Sequence, residues 1–319
     1  MKRLLLALAA AGVAACAVAQ EFPAHPVRII VPWPPSGNVD ITARAVAPAF
    51  GEALGAQVIV ENVAGAGGRI GTAAVAKSPA DGYTLLLGSS GTVTAGPAVF
   101  KNLSYDPLKD FVPIAPIQYV AIVLTAAPKT PIANYREFVA YAEANPGKLS
   151  IASAGNGSSN HLAIELLMRQ AHLKLLHVPY KGSGPALTDL LGSQVECMMD
   201  QLNSSVEQIR NGRIKALAVA SLKRSPLLPE VPTFDELGLK GFEATTFSGI
   251  FAPAGTPSAV VTKLAAALHR SLANQSVRER FRQMGVEVMD MTPPEFTGFV
   301  HTDYEKWRTI AREGHIVVD

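Results

Sequence analysis

Cysteine is nearly missing from this sequence: Cys16 and Cys197 are the only two. A disulfide framework is thereby excluded, and stability must come from a packed core. Charge is scarce as well, at 17% of residues with a net of +2, and no basic run follows Lys2 and Arg3. So small and dispersed a balance excludes nucleic acid as a partner. Beyond the N-terminus no window approaches the ~20 consecutive apolar residues of a membrane span. Catalytic and cofactor motifs are missing too. No Walker A sequence occurs. The segment Gly65 to Gly71 departs from a dinucleotide fingerprint, with Ile70 in the third glycine's place and no acid ~20 residues on. Gly88-Ser89-Ser90-Gly91 lacks the spacing of a nucleophile elbow. The seven histidines form no H-x-x-x-H pair and have no carboxylate at ligand spacing. No metal and no cofactor is expected. An enzyme would need a nucleophile–base or metal constellation, and the sequence shows neither.

What is present is an apolar fraction of 48%, enough for a sizeable core, with plentiful Gly (26) and Pro (23) for short elements and tight turns. Lys2 and Arg3, an apolar stretch from Leu4 to Val13, and Ala17-Val18-Ala19 read as an export signal over residues 1–19, cleaved before Gln20. Val13-Ala14-Ala15-Cys16 also reads as a lipoprotein signal that would lipidate Cys16. The usual distance of the A-x-A site favours cleavage, and a periplasmic location is expected. Cys197, in an apolar run, reads as a buried thiol.

From residue 27 the pattern is strand, glycine-rich turn, helix. Strands are expected at 27–31, 58–60 and 83–87, with helices over 40–54 and after the turn 65–71. A β-rich run near 114–125 reads as a crossing into a second βα series. There, strands at 149–152, 177–180, 195–199 and 214–220 alternate with helices over 161–170, 185–191 and 204–211. The run 245–251 reads as the return crossing. The C-terminal segment is helical, with Thr256-Pro257 as N-cap and first helical position, a capping box at Ser276 and Glu279, and a last helix from Thr292 that buries Phe296, Val300 and Trp307. Strands alternating with helices specify a parallel sheet. The expected architecture is α/β with two lobes: residues 20–120 with 246–319, and residues 121–245. Two crossings between them allow hinge closure on a ligand held in between.

Five polar, glycine-rich segments follow expected strands. At such positions helix N-termini offer unpaired N–H groups and a favourable dipole to an anion. In the first lobe they are Ser36-Gly37-Asn38 with Asp40, the turn containing Ala66, and Ser89-Ser90-Gly91-Thr92. Gly155-Asn156-Gly157-Ser158 and Tyr180-Lys181-Gly182 would face them from the second. His161, on the first turn of a helix, reads equally as a cleft residue or a half-buried polar group. Asp200, followed by Gln201 and Asn203, reads equally as a group that accepts from a ligand amine or orients Lys181, and as a helix N-terminal acid. Lys181 is the best candidate to pair with a carboxylate; the alternative is a solvated loop lysine.

The sequence resembles the tripartite tricarboxylate transporter receptors, the Bug family of periplasmic solute-binding proteins. Matching stretches run along nearly the whole mature chain. They are Pro26-x-Arg28-Ile29-Ile30-Val31-Pro32 with Pro34-Pro35, Asp81 to Leu86, Tyr105-Asp106-Pro107, Ala154 to Ser158, His177 to Gly182, Arg224-Ser225-Pro226, and Ala252 to Pro257. The resemblance implies a type II periplasmic binding protein fold that holds a small organic carboxylate between its lobes. It implies that backbone groups and bridging waters pinch one carboxylate near Ser36 to Asp40 and Ser89 to Thr92. The rest of the ligand would meet Gly155 to Ser159, Tyr180 to Gly182, and Asp200 to Asn203. It further implies delivery of the cargo to membrane permease subunits. The chain departs from the family at Ser36, where a second glycine is usual, and at Trp33, where phenylalanine is common. Trp33 therefore joins the candidate site. A transport receptor, expected to act as a monomer, is the leading reading. A sensor subunit that presents its bound ligand to a membrane kinase is the alternative.

Overall fold

The computed structural model describes residues 21–314 and 316–317, so the expected export signal with Cys16 lies outside the described residues. In chain order the elements are β1 (Val27–Val31), α1 (Asn38–Leu54), β2 (Val58–Asn62), α2 (Arg69–Ala76), β3 (Thr84–Ser89), α3 (Ala95–Val99), β4 (Phe111–Ala126), α4 (Tyr135–Ala144), β5 (Ser150–Ser153) and α5 (Ser159–Gln170). They continue as β6 (Leu176–Pro179), α6 (Ser183–Leu191), β7 (Cys197–Gln201), α7 (Leu202–Arg210), β8 (Lys215–Val219), β9 (Thr245–Pro253), α8 (Ser258–Ala273), α9 (Gln275–Gln283), β10 (Glu287–Val288) and α10 (Pro293–Gly314).

The apolar β-branched runs pair in parallel, β1 lying between β2 and β3, and β5 between β6 and β7. Helices cover both faces, which is why strands such as β3 are buried along their whole length. β4 joins the two halves. Its residues Phe111 to Ala121 pair antiparallel with β9, and Ile122 to Ala126 pair with β7 on one side; Val123 to Ala126 pair with β8 on the other. The strand thus leaves one sheet and enters the next at Ala121/Ile122. The chain returns alongside: Ala244 N–H donates to the Ala220 carbonyl, and Ile122 N–H to the Ala244 carbonyl. The result is a two-lobed α/β fold of the type II kind, with the strand order β2-β1-β3-β9-β4-β7-β5-β6.

Each lobe has its own packed centre. Ile29, Phe50, Leu85, Leu268 and Phe281 lie in one, and Phe138, Ile151, Leu167, Phe234 and Phe242 in the other. Each such side chain contributes about 1.5–3 kcal/mol of burial. Cys197 is fully buried in the second, and burial pushes its thiol well above the usual range. Among the described residues no helix is long and apolar enough to cross a membrane.

Several boundaries differ from the sequence reading. β7 begins two residues later than expected and runs on through Asp200 and Gln201, because β4 continues to pair with it as far as Ile122. Glu196 instead accepts from the N–H and hydroxyl of Ser150. Helices α5, α6 and α7 each start two residues earlier than expected, at Ser159, Ser183 and Leu202. At the C-terminal helices, Thr256 hydrogen-bonds to the Pro253 carbonyl and Pro257, not Thr256, occupies the cap position. Asn274 caps α9 in place of the expected box. Its side chain accepts from Ser276 N–H, while Glu279 pairs with Arg282.

Candidate ligand-binding site

Strand ends and helix starts from both lobes meet at one buried cavity. It is bordered by Trp33, Pro34, Gly37, Asn38 and Val39 between β1 and α1, by Ser89 at the end of β3, and by Thr246 on β9. The facing lobe contributes Ala154, Ser158, Ser159 and Asn160 before and within α5, Ser183 at the start of α6, and Gln201 at the end of β7. Its volume is about 30 Å³. One water needs roughly 10–15 Å³ by the same measure, so this space suits two waters or one carboxylate group.

Locally, the β1–α1 turn is held from behind. Asp40 accepts from Ser36 N–H and from the side chains of Arg44 and Asn62, and Asn62 also donates to the Trp33 carbonyl. Burial alone pushes the Asp40 carboxyl up, but the hydrogen bonds from Arg44, Ser36 and Asn62 outweigh it and hold it below the usual carboxylate range. Asp40 thus shapes the turn and does not border the cavity. Ser36 is exposed, with φ of 68°. Its side chain points neither at nor into the inner cavity lining, so it does not crowd that space. A left-handed conformation costs an L-residue roughly 1–2 kcal/mol, partly offset because glycine loses more freedom on folding. Ser36→Gly is therefore expected to stabilise the protein by about 0.5–1 kcal/mol, read as a rise in melting temperature. A fall in that temperature would show that the serine side chain stabilises the turn.

Asn38 opens α1 and is buried beside Gln118 of β4. Its Oδ1 accepts from Gln118 Nε2 at 2.6 Å and, across the lobes, from Asn203 Nδ2 at 2.7 Å. Gln118 also donates to Ser248. At the end of β3, Ser89 borders the cavity, whereas its neighbours are taken up internally. Ser90 Oγ accepts from Phe247 N–H, and Thr92 accepts from Ser89 N–H and, at its carbonyl, from Tyr105. Gly91 carries no side chain; a Cβ there would sit 3.3 Å from the Trp33 ring and 3.6 Å from Ser159 N.

In the second lobe Ser158 caps α5, accepting from His161 N–H and donating to the Gly155 carbonyl. His161 Nδ1 accepts from Gly157 N–H, and its ring stacks on His177 with centroids 4.3 Å apart. It therefore braces the glycine turn and does not line the cavity. Burial, with help from the nearby His161, pulls the His177 imidazole down to about 4. A layer of amides lies beneath Ser159. Gln201 Nε2 donates to Ser159 Oγ and Asn160 Oδ1, and Asn160 Nδ2 donates to the Met199 carbonyl.

Asp200 sits inside β7, fully buried, and its Oδ2 accepts from Ser204 and Ser205, both at 2.6 Å. Burial pushes its carboxyl up, against the pull of those hydroxyls. Of the two sequence readings, the geometry matches the acid at the start of a helix, here α7; Lys181 lies elsewhere, exposed on the outer lip. Asn203 meets Asn38 as described. Gly182 precedes α6 with φ of 138°, and a Cβ there would fall 2.8 Å from the Pro34 ring of the other lobe.

The remaining candidates border an outer chamber of about 640 Å³ that shares Trp33 and Pro34 with the inner cavity. Ala66, Gly155, Asn156, Tyr180 and Lys181 lie there. Tyr180 turns its hydroxyl to Asp189, and burial together with that carboxylate raises its phenol to about 12. Ser159, Asn160, Ser183, Gln201 and Thr246 border the inner cavity and are not among the residues the sequence singles out. Four of them stand at a helix start, a position obscured by reading the preceding turn as two residues too long.

Among the described residues, no three His, Cys, Asp or Glu side chains gather as a metal site would require. Two α/β lobes meeting on a small polar cavity place the molecule in the class of two-lobed solute-binding receptors. Residues 42–315 match the sequence profile of the tripartite tricarboxylate transporter family receptor. The chain is 38% identical to protein BugT of Bordetella pertussis over 96% of its own length and 94% of the relative's. Among solved structures it is similar to the periplasmic binding protein BugD (39% identity, TM-score 0.90, covering 93% of this chain and 99% of that one). It is similar also to MatC from Rhodopseudomonas palustris with bound malate (36%, TM-score 0.87, 91% and 99%) and to R. palustris Rpa4515 with adipate (32%, TM-score 0.90, 93% and 99%). The chain belongs to the tripartite tricarboxylate transporter receptor family and, with BugT and BugD, to its Bug group.

Proposed function

We propose that this chain is a periplasmic receptor that captures a small organic carboxylate between its lobes and delivers it to the permease subunits of a tripartite tricarboxylate-type transporter. One observation carries the reading. Helical segments beginning at Asn38, Ser90, Ser159, Ser183 and Leu202 all start at or beside residues of one cavity, and no ionisable side chain borders it. Burying a carboxylate costs several kcal/mol. Helix N-termini return about 0.3–2 kcal/mol each, and hydrogen bonds to a charged group about 1.5–3 each. A ring of such donors therefore suits a small anion, without a fixed cation. The malate and adipate found in two relatives are of the same chemical class.

The proposed lobes are residues 20–120 with 246–319, and residues 121–245. This division is supported by the change of β4's partners at Ala121/Ile122 and by the start of β9 at Thr245. Closure would bring Gly37, Asn38 and Ser89 of one lobe against Ser158, Ser159 and Ser183 of the other. Export by cleavage near Ala19 fits a receptor that works outside the inner membrane.

Native mass spectrometry of the purified protein, followed by a thermal-shift screen of organic acids, tests the reading. A ligand at one hundred times its dissociation constant adds about 2.7 kcal/mol, which raises the melting temperature by roughly 5–10 °C at this size. The stabilising compounds are expected to need a free carboxylate. A screen in which neutral or cationic solutes stabilise and acids do not would overturn the assignment. Delivery is tested separately, by uptake into vesicles holding the permease with and without this protein.

A further inference from the structure

The inner cavity, at about 30 Å³, has room for one carboxylate group and little more. The remainder of any ligand must lie beyond the partition formed by Trp33 and Pro34, in the outer chamber of about 640 Å³. That chamber differs from the inner one in charge. Its lining contains Arg69 from the first lobe and Lys181 from the second, and no acidic residue. Arg69 is held in position: its Nε donates to the Ala66 carbonyl, and its guanidinium lies 4.0 Å over the Phe100 ring. Phe100 in turn packs against Gly157 of the other lobe, where an added Cβ would come within 2.2 Å of the ring. Neither cation is paired with a carboxylate among the described residues. At the partition, Trp33 is 8% exposed and its Nε1 has no hydrogen-bond partner.

We propose that the outer chamber is a second anion subsite, in which Arg69 and Lys181 take the distal carboxylate of an extended α,ω-dicarboxylate whose proximal carboxylate occupies the inner cavity. The inference rests on the carboxylate-receptor reading and extends it from a class of anion to a shape. Two cations, one on each lobe, bind the distal group only when the lobes are closed. A diacid long enough to span the partition therefore favours closure more than a monoacid of the same length. Trp33 Nε1 stands ready to donate to an acid oxygen as the chain passes it.

Calorimetric titration with the diacids from succinate to suberate, each beside the straight-chain monoacid of equal length, reads this directly. Wild-type protein is expected to prefer the diacid once the chain spans the partition. Arg69→Gln and Lys181→Gln should each weaken that diacid roughly fivefold, the upper range for a partly exposed ion pair, and leave the monoacid within twofold. Arg69→Lys, which keeps the charge, should retain most of the preference and so separates charge from any loosening of the Phe100 contact. If the diacid-to-monoacid ratio is the same in wild type and both glutamine variants, the outer subsite is wrong and the receptor reading stands. If wild-type protein binds none of these acids, and none from the thermal screen, both fall together.

Discussion

Gly37→Val is expected to abolish tight ligand binding, by about a hundredfold or more, while leaving the unliganded protein folded. Gly37 has φ of −91° and ψ of 169°, an extended conformation that any residue adopts. The backbone therefore sets no barrier to a β-branched side chain. A Cβ at this position would lie 3.8 Å from Ser183 Cβ and 3.9 Å from the Pro34 carbonyl oxygen. That is ordinary contact, so Gly37→Ala should bind within about tenfold of wild type. Valine adds two further methyl groups, and these have to occupy the space between Gly37 and Ser183. The lobes must then stay apart, or the methyl groups must fill the cavity that the ligand would use. A hundredfold loss corresponds to ~2.7 kcal/mol, well within the 1–3 kcal/mol that overpacking alone costs. Valine is also a poorer helix cap than glycine, by up to ~1 kcal/mol, so the melting temperature should fall by only about 2–4 °C. Calorimetry on the glycine, alanine and valine proteins checks the gradation. Wild-type affinity in the valine protein would show that Gly37 and Ser183 do not approach in the bound state.

Much of this arrangement is legible in the sequence because it depends on local pattern. Val27 to Val31 and Thr84 to Leu87 are apolar runs bounded by Pro or Gly, and runs of that kind become buried parallel strands. The glycine turns between strands and helices show where chain ends face a ligand, since every strand of a parallel set points the same way. What stays hidden is of two kinds. The first is the length of the turns. Ser159, Asn160 and Ser183 are polar residues that serve equally well in a turn or in a first helical turn, and only the tertiary structure decides that they begin helices. Gln201 is obscured similarly, because a polar residue at the end of an apolar run reads as the end of the strand, whereas pairing with Ile122 extends β7 through it. The second kind is long-range partnership. Asn38 and Asn203 are 165 residues apart in sequence yet share a hydrogen bond. No local signal distinguishes them from asparagines at any helix start. For the same reason Asp40, Asp200 and His161, all reasonable binding groups by type, bond to their own loops and helices.

Asn38→Asp is the substitution expected to do the most damage to affinity for the least change in shape. The two side chains are nearly isosteric. An aspartate oxygen at this position still accepts from Gln118 Nε2 and Asn203 Nδ2, as Asn38 Oδ1 does at 2.6 and 2.7 Å. The new charge stands at the first position of α1, where the helix dipole favours it. Fold and lobe contact should both survive. The cavity, however, gains a fixed negative charge where none of the bordering residues now carries one. Two like charges ~4 Å apart repel by about 4 kcal/mol at the effective dielectric of partly buried sites. Even half of that weakens a carboxylate ligand by about thirtyfold, and the full value by several hundredfold. The loss should also depend on pH in a defined direction. Lowering the pH through the introduced carboxyl's own titration removes its charge, and binding of an acid that is still ionised there should recover. Wild-type protein, lacking the group, should show no such recovery. Titrations of both proteins at neutral and mildly acidic pH give the answer. Unchanged affinity at neutral pH would mean that the ligand's charge is not held in this cavity. Tighter binding in the variant would mean that the cavity prefers a cation, and the ring of helix N-termini would then be structural alone.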